Sequence, residues 1–172
     1  MKNVIGLTLI VWILMSCQKE SRYTQQAPEI ESVKAMFAAY NAGDYEAQRK
    51  FYDANAEIFI NAPETKPTTL DQAIADMNKD KDLFNNAQIT IQEDAIERVI
   101  TDKGEIWVNV WGEWKATLAA TGKEYLLPFH ETFQFMDGKI VKEFGYWDNS
   151  PIVQDMMKAE MAKASADSTM NQ

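Results

Sequence analysis

Cysteine and histidine are nearly absent from this chain of 172 residues, which has one of each. A single cysteine cannot close an intramolecular disulfide, and a single histidine gives neither a metal site nor a triad built on paired imidazoles. Glycine is scarce at seven residues, and none falls into a phosphate-cradling loop or a dinucleotide fingerprint. Basic residues are outnumbered, 17 Lys and Arg against 26 Asp and Glu, and the net charge of -9 disfavours nucleic acid and anionic headgroups through long-range repulsion. The apolar run Val4–Met15 is only twelve residues long, short of the roughly 20 that a spanning helix needs. These absences exclude covalent cysteine, metal and nucleotide chemistry and imply no cofactor. What remains is proton transfer by a carboxylate, a tyrosine or the one histidine, with small molecules or protein as partners.

What is present at the N-terminus is a targeting pattern. Lys2 precedes the apolar run, which ends in Leu14-Met15-Ser16-Cys17. A basic start, a short apolar core and a small residue before the cut define a secretory signal, and the cysteine placed just past it reads as a lipoprotein signal. Residues 1–16 are expected to be removed and Cys17 to become the acylated N-terminus. Each buried methylene contributes about 0.8 kcal/mol, so several acyl chains are needed for stable anchoring. The expected location is the bacterial cell envelope, at the outer membrane or a periplasmic face. Residues 17–28, polar apart from Tyr23 and little else, are expected to form a flexible tether. The folded domain is expected over 29–164, followed by a polar tail over 165–172.

Helical spacing of Ile30, Val33, Phe37 and Tyr40 predicts a helix over Glu29–Asn41, and Asn41-Ala42-Gly43-Asp44 ends it and caps a second over Tyr45–Tyr52. A strand follows at Glu57–Asn61. A third helix opens behind Pro67-Thr68-Thr69 and runs to Phe84, with Asp71 in its first turn. Strands are expected at Ile89–Thr101, Glu105–Ala119, Tyr125–Met136 and Lys139–Trp147. Thr121-Gly122 and Asp137-Gly138 read as hairpin turns, the second from the demand for positive φ at both central positions. Ser150-Pro151 opens a last helix.

This element order is similar to that of the nuclear transport factor 2-like (cystatin-like) α+β fold, a cone-shaped curved antiparallel sheet wrapped around N-terminal helices. Phe133–Asp148, reading FQFMDGKIVKEFGYWD, resembles the closing hairpin of SnoaL-like domains, and the Tyr-Asn-Ala-Gly-Asp-Tyr turn within Val33–Asp53 resembles their opening helices. The resemblance implies a pocket inside the cone. It specifies no activity, because polyketide cyclases, isomerases, dehydratases and mere binding or assembly domains share the fold. It also implies that the outer side of the sheet often forms a dimer interface.

Counting parity back from Asp137-Gly138 puts Leu127, Phe129, Glu131, Phe133 and Phe135 on one face with Ile140, Lys142, Phe144, Tyr146 and Asp148. Phe129, Glu131, Phe133, Phe144, Tyr146 and Trp114 are the expected pocket-lining residues, and Glu131 is expected to pair with Lys142. The opposite face carries His130, Thr132, Trp107, Asn109 and Trp111. His130 is the natural general base but falls on that opposite face unless a bulge reverses parity. Asp148 is the strongest candidate acid or base, since the resembling cyclases use a carboxylate near this position. It sits equally well as a helix-entry residue accepting backbone N–H bonds.

Three functions follow as expectations. The favoured one is a lipid-anchored domain that binds a small apolar molecule without changing it. The second is a cofactor-free cyclase or isomerase using Asp148, with His130 or Tyr146. The third is a homodimeric assembly module built on the Trp-bearing outer face.

Overall fold

The computed structural model describes residues 21–170. Its eight strands are β1 (Tyr23–Thr24), β2 (Tyr52–Ile60), β3 (Thr68–Thr69), β4 (Phe84–Thr90), β5 (Ile96–Ile100), β6 (Ile106–Leu118), β7 (Lys123–Met136) and β8 (Lys139–Trp147). The helices are α1 (Pro28–Asn41), α2 (Leu70–Leu83) and α3 (Ser150–Met170), with one 3-10 helix at Glu46–Phe51. The strands form a single open, curved sheet in the order β1-β5-β6-β7-β8-β2-β3, with β4 paired to β6 beyond the end of β5.

The α1 helix begins with Pro28 at its first position, where the missing N–H costs nothing, and carries Glu29 and Glu31 in its first turn. Its buried stripe of Ile30, Val33, Met36 and Phe37 lies in the hollow of the sheet. There it meets Val108, Val110, Phe129, Phe133 and Ile140. Phe37 packs against the rings of Phe129 and Phe133, with centroids 6.0 and 6.1 Å apart. Glu29 forms an ion pair with buried Arg98 of β5 at 3.3 Å, fixing the start of the helix to the sheet. The α2 helix is capped by Thr69, whose hydroxyl accepts from the Gln72 amide at 3.3 Å.

The α+β cone expected from the sequence is the observed fold. Asp137 and Gly138 both adopt positive φ, 52° and 75°, as the tight hairpin requires. Four particulars differ. The second helix is a short 3-10 turn, and the strand after it starts at Tyr52 and runs parallel to β8. The stretch 89–101 is two strands, broken by a turn in which the Ala95 amide reaches the Gln92 carbonyl at 3.1 Å. The break lets both halves pair with the long β6. Helix α3 continues through Met170, past the point where a tail was expected.

The fourth difference concerns the tether. Cys17 and residues 1–16 lie outside the described residues, but the second half of the 17–28 segment is bound to the sheet. Tyr23 and Thr24 pair with Val99 and Arg98. The Ile100 amide donates to the Arg22 carbonyl at 2.7 Å, and the Arg22 side chain pairs with Asp102 at 2.8 Å. Polar composition predicts disorder only when the backbone has no partner, and here the open edge of β5 supplies one.

Candidate functional site

The inner face of the last hairpin is set by a bulge. Phe135 pairs with Ile140 as expected, but Gln134 pairs with Lys142, so Val141 is an extra residue on β8. From that point parity is reversed. Phe133 lies beside Glu143 and Glu131 beside Gly145, so Glu143 joins Phe129, Glu131 and Phe133 on the inner face. Phe144 and Tyr146, expected inside, are on the outer face. There Phe144 stacks on Phe59 with centroids 4.7 Å apart, and Tyr146 is exposed. Lys142 also points away from Glu131 and lies 3.8 Å from Glu57.

Two carboxyls therefore share the interior. Glu131 is 9 % exposed and Glu143 8 %. Burial and the nearby Glu143 carboxyl push Glu131 well above the usual carboxylate range. Burial raises Glu143 to about 7, moderated by a hydrogen bond from the Tyr52 hydroxyl to its Oε2 at 2.6 Å. Tyr52 is itself raised well above its ordinary value by burial and by Glu143. Glu143, beside Glu131, is poised between its two protonation states near neutral pH.

A cavity of about 240 Å³ lies between the end of α1, the end of α2 and β4. Its wall includes the rings of Tyr40, Tyr45, Phe84 and Trp114, with Asp80 and Lys81 at the rim. The Trp114 indole donates to the Tyr40 hydroxyl at 2.8 Å. Desolvation by burial raises the Tyr40 pKa. Lys81 donates to the Gly43 carbonyl at 2.7 Å and lies 4.4 Å from the Tyr45 ring centroid.

Of the residues expected to line a pocket, Trp114 does so, while Phe129 and Phe133 are packed core. The expected acid–base residues are elsewhere. Asp148 is exposed, and its Oδ1 accepts from the Ser150 amide at 2.9 Å at the entry of α3. Hydrogen bonds from Ser150 hold it below the usual carboxylate range, opposite to what a proton donor needs at neutral pH. His130 lies on the outer face, its Nδ1 3.0 Å from the Val110 carbonyl and its ring stacked on Trp111 at 4.8 Å. The sequence did not single out Glu143, Tyr52 or Tyr40 as site residues: Tyr40 and Tyr52 read as buried helix positions and parity put Glu143 on the opposite face. The available signal was Gly145, a glycine within a strand. A Cβ there would come within 2.7 Å of Ile60 Cδ1 and 2.8 Å of Trp147 Cζ3, and 3.4 Å of Glu131 Cγ. Among the described residues no group of three potential ligands could hold a metal ion.

Solved structures share this architecture at low sequence identity. PrhC from Penicillium brasilianum superposes with a TM-score of 0.65 at 16 % identity, covering 83 % of this chain and 94 % of that one. IdmH of Streptomyces antibioticus, a candidate polyketide cyclase, gives 0.59 at 18 % identity over 76 % of this chain and 99 % of its own. A protein of ketosteroid isomerase-like fold from Catenulispora acidiphila, solved with trimethylamine, gives 0.57 at 15 % identity over 70 % and 87 %. No curated protein sequence matches. The family model for the SnoaL-like domain matches residues 33–143, well over half the chain, and the protein thus belongs to the SnoaL-like domain family.

Proposed function

We propose that the protein is an envelope lipoprotein, acylated at Cys17, whose cone binds a small, largely apolar molecule at its open end. The observation that supports this most directly is the cavity of about 240 Å³ framed by four aromatic rings. Ring stacking and apolar burial hold such a ligand, and a few polar groups orient it. Here those groups are the Tyr40 hydroxyl and Asn86. The test uses 2-naphthol, a compact fluorescent ring compound with one hydroxyl, titrated by calorimetry. Binding is expected for the parent and at least tenfold weaker for Ala87→Phe, which fills the cavity from a half-buried wall position. Equal binding by both would refute the cavity as the site. Acylation is tested by fatty-acid-analogue labelling, which Cys17→Ser must abolish.

A second reading, proton transfer on the bound molecule, is favoured by one specific observation: two buried carboxyls on adjacent strands, both raised by burial, Glu143 to about 7. In it the ligand must reach past the cavity wall, which includes neither carboxyl, for Glu131 to donate to its carbonyl and Glu143 to remove a proton from the neighbouring carbon. Asp148 has no part in this. Deuterium exchange into 2-tetralone, followed by NMR, would show it as a rate above buffer that falls by two orders of magnitude or more in Glu143→Gln. Exchange at the buffer rate leaves binding as the function.

A further inference from the structure

From the attachment of β1 we infer that the tethered end of the sheet rests on the lipid bilayer and that the cavity opens away from it, so the ligand is drawn from water. The inference rests on acylation of Cys17. Only residues 18–21 separate that cysteine from Arg22, whose carbonyl accepts from the Ile100 amide. Five steps of chain span at most about 17 Å. The domain cannot stand off from the membrane on a long leash. The end of the sheet that holds Arg22 lies within that distance of the headgroups.

This end is a defined surface. One row of the sheet joins Ile100, Ile106, Phe135, Ile140 and Tyr52 across five strands. Just outside it lie the 101–105 loop, the Asp137-Gly138 turn and the end of the 3-10 helix. It carries Arg22, Lys50, Lys103 and Lys139 against Asp53, Asp102, Glu105 and Asp137, four charges of each sign on a chain of net -9. The rest of the molecule therefore bears the whole acidic excess. An anionic lipid surface repels that remainder and tolerates this end. Met136, 61 % exposed, and Tyr23, 53 % exposed, add an apolar and an amphipathic contact at the same end.

The cavity belongs to the other end. Trp114 stands eight residues along β6 from Ile106, about 26 Å at strand rise. Phe84 is opposite Leu118, four residues further along. With the Arg22 end down, the mouth between Tyr40, Lys81 and Phe84 faces the aqueous compartment.

The test uses the full acylated protein in vesicles containing anionic lipid. Once Cys17 is acylated the chain has no other thiol, so Lys103→Cys and Thr121→Cys, both at exposed turns of opposite ends, take a donor fluorophore at one position each. Energy transfer to an acceptor on the lipid headgroups is expected to be several-fold stronger from position 103 than from 121. Equal or reversed transfer from vesicle-bound protein overturns the orientation. Failure of the parent to float with vesicles, or equal flotation by Cys17→Ser, would instead overturn the acylation on which it rests.

Discussion

Glu131 and Glu143 lie on adjacent strands of a face that excludes water, and burial favours the neutral form of both. Their pKa values are raised on folding, Glu143 from 4.5 to about 7 and Glu131 well above its ordinary value. The native state therefore binds protons more tightly than the unfolded chain. The stability they contribute is complete below about 4.5 and is lost as pH rises, for Glu143 through about 7. Each fully engaged group changes unfolding free energy by at most about 1.4 kcal/mol per pH unit. The melting temperature is expected to fall between pH 5 and pH 8, and Glu131→Gln should flatten that fall; calorimetry at a series of pH values decides, an unchanged slope counting against a buried proton.

Gly112 is a second position where one residue bears directly on the core. A Cβ there would sit 2.5 Å from Cζ of Phe129 and 3.0 Å from the Thr90 carbonyl oxygen. The ring is held by Phe37 and cannot simply step aside. Gly112→Ala should cost about 1–3 kcal/mol by overpacking, and adding Phe129→Leu should recover part of it. A urea-denaturation cycle in which the two changes are strictly additive would disprove the clash.

At the scale of elements, the hairpin turns and the α1 stripe were legible because their signals are local. Asp137-Gly138 demands positive φ, and Ile30, Val33 and Phe37 recur at helical spacing. The bulge at Val141 was not, since no residue type announces it, and a single extra residue moved Glu143 inside and Phe144 and Tyr146 outside. The break at 91–95 was hidden for a related reason. Ile89, Ile91, Ile96 and Val99 read as one apolar run, although the chain must turn to follow the curve of β6.

The docking of α3 shows the opposite pH sign. Asp155 accepts from Lys123 at 2.5 Å, from the Tyr125 hydroxyl at 2.8 Å and from Lys158 at 3.4 Å, which holds its carboxyl at about 2. A depressed pKa contributes stability above the unfolded value of about 3.8, lost as pH falls through about 2. Ile152 and Met156 extend the same contact to Leu118 and Tyr125. Asp155→Asn should lower the melting temperature at pH 6 and have little effect at pH 2, where the parent carboxyl is already half protonated. Equal losses at both values would mean that the aspartate acts by shape alone.

For the molecule as a whole, the outer face of the sheet remains to be satisfied. Trp111 and Tyr146 are each 47 % exposed, beside Trp107, Phe144 and the ring of His130. Aromatic residues gathered on one face of a sheet are the composition of an interface core, and a second copy of the chain supplies the same face by two-fold symmetry. Acylation of Cys17, as proposed above, adds a geometric condition. If both Cys17 residues insert in one bilayer, the two-fold axis must run close to the membrane normal, leaving both cavities open to water. Sedimentation velocity of the lipid-free Cys17→Ser variant should show a concentration-dependent dimer that Trp111→Lys weakens at least tenfold, because a lysine in each copy brings like charges into an apolar contact. A dimer of unchanged affinity would place the contact on another surface, and a monomer at high concentration would leave Trp111 as an ordinary exposed residue.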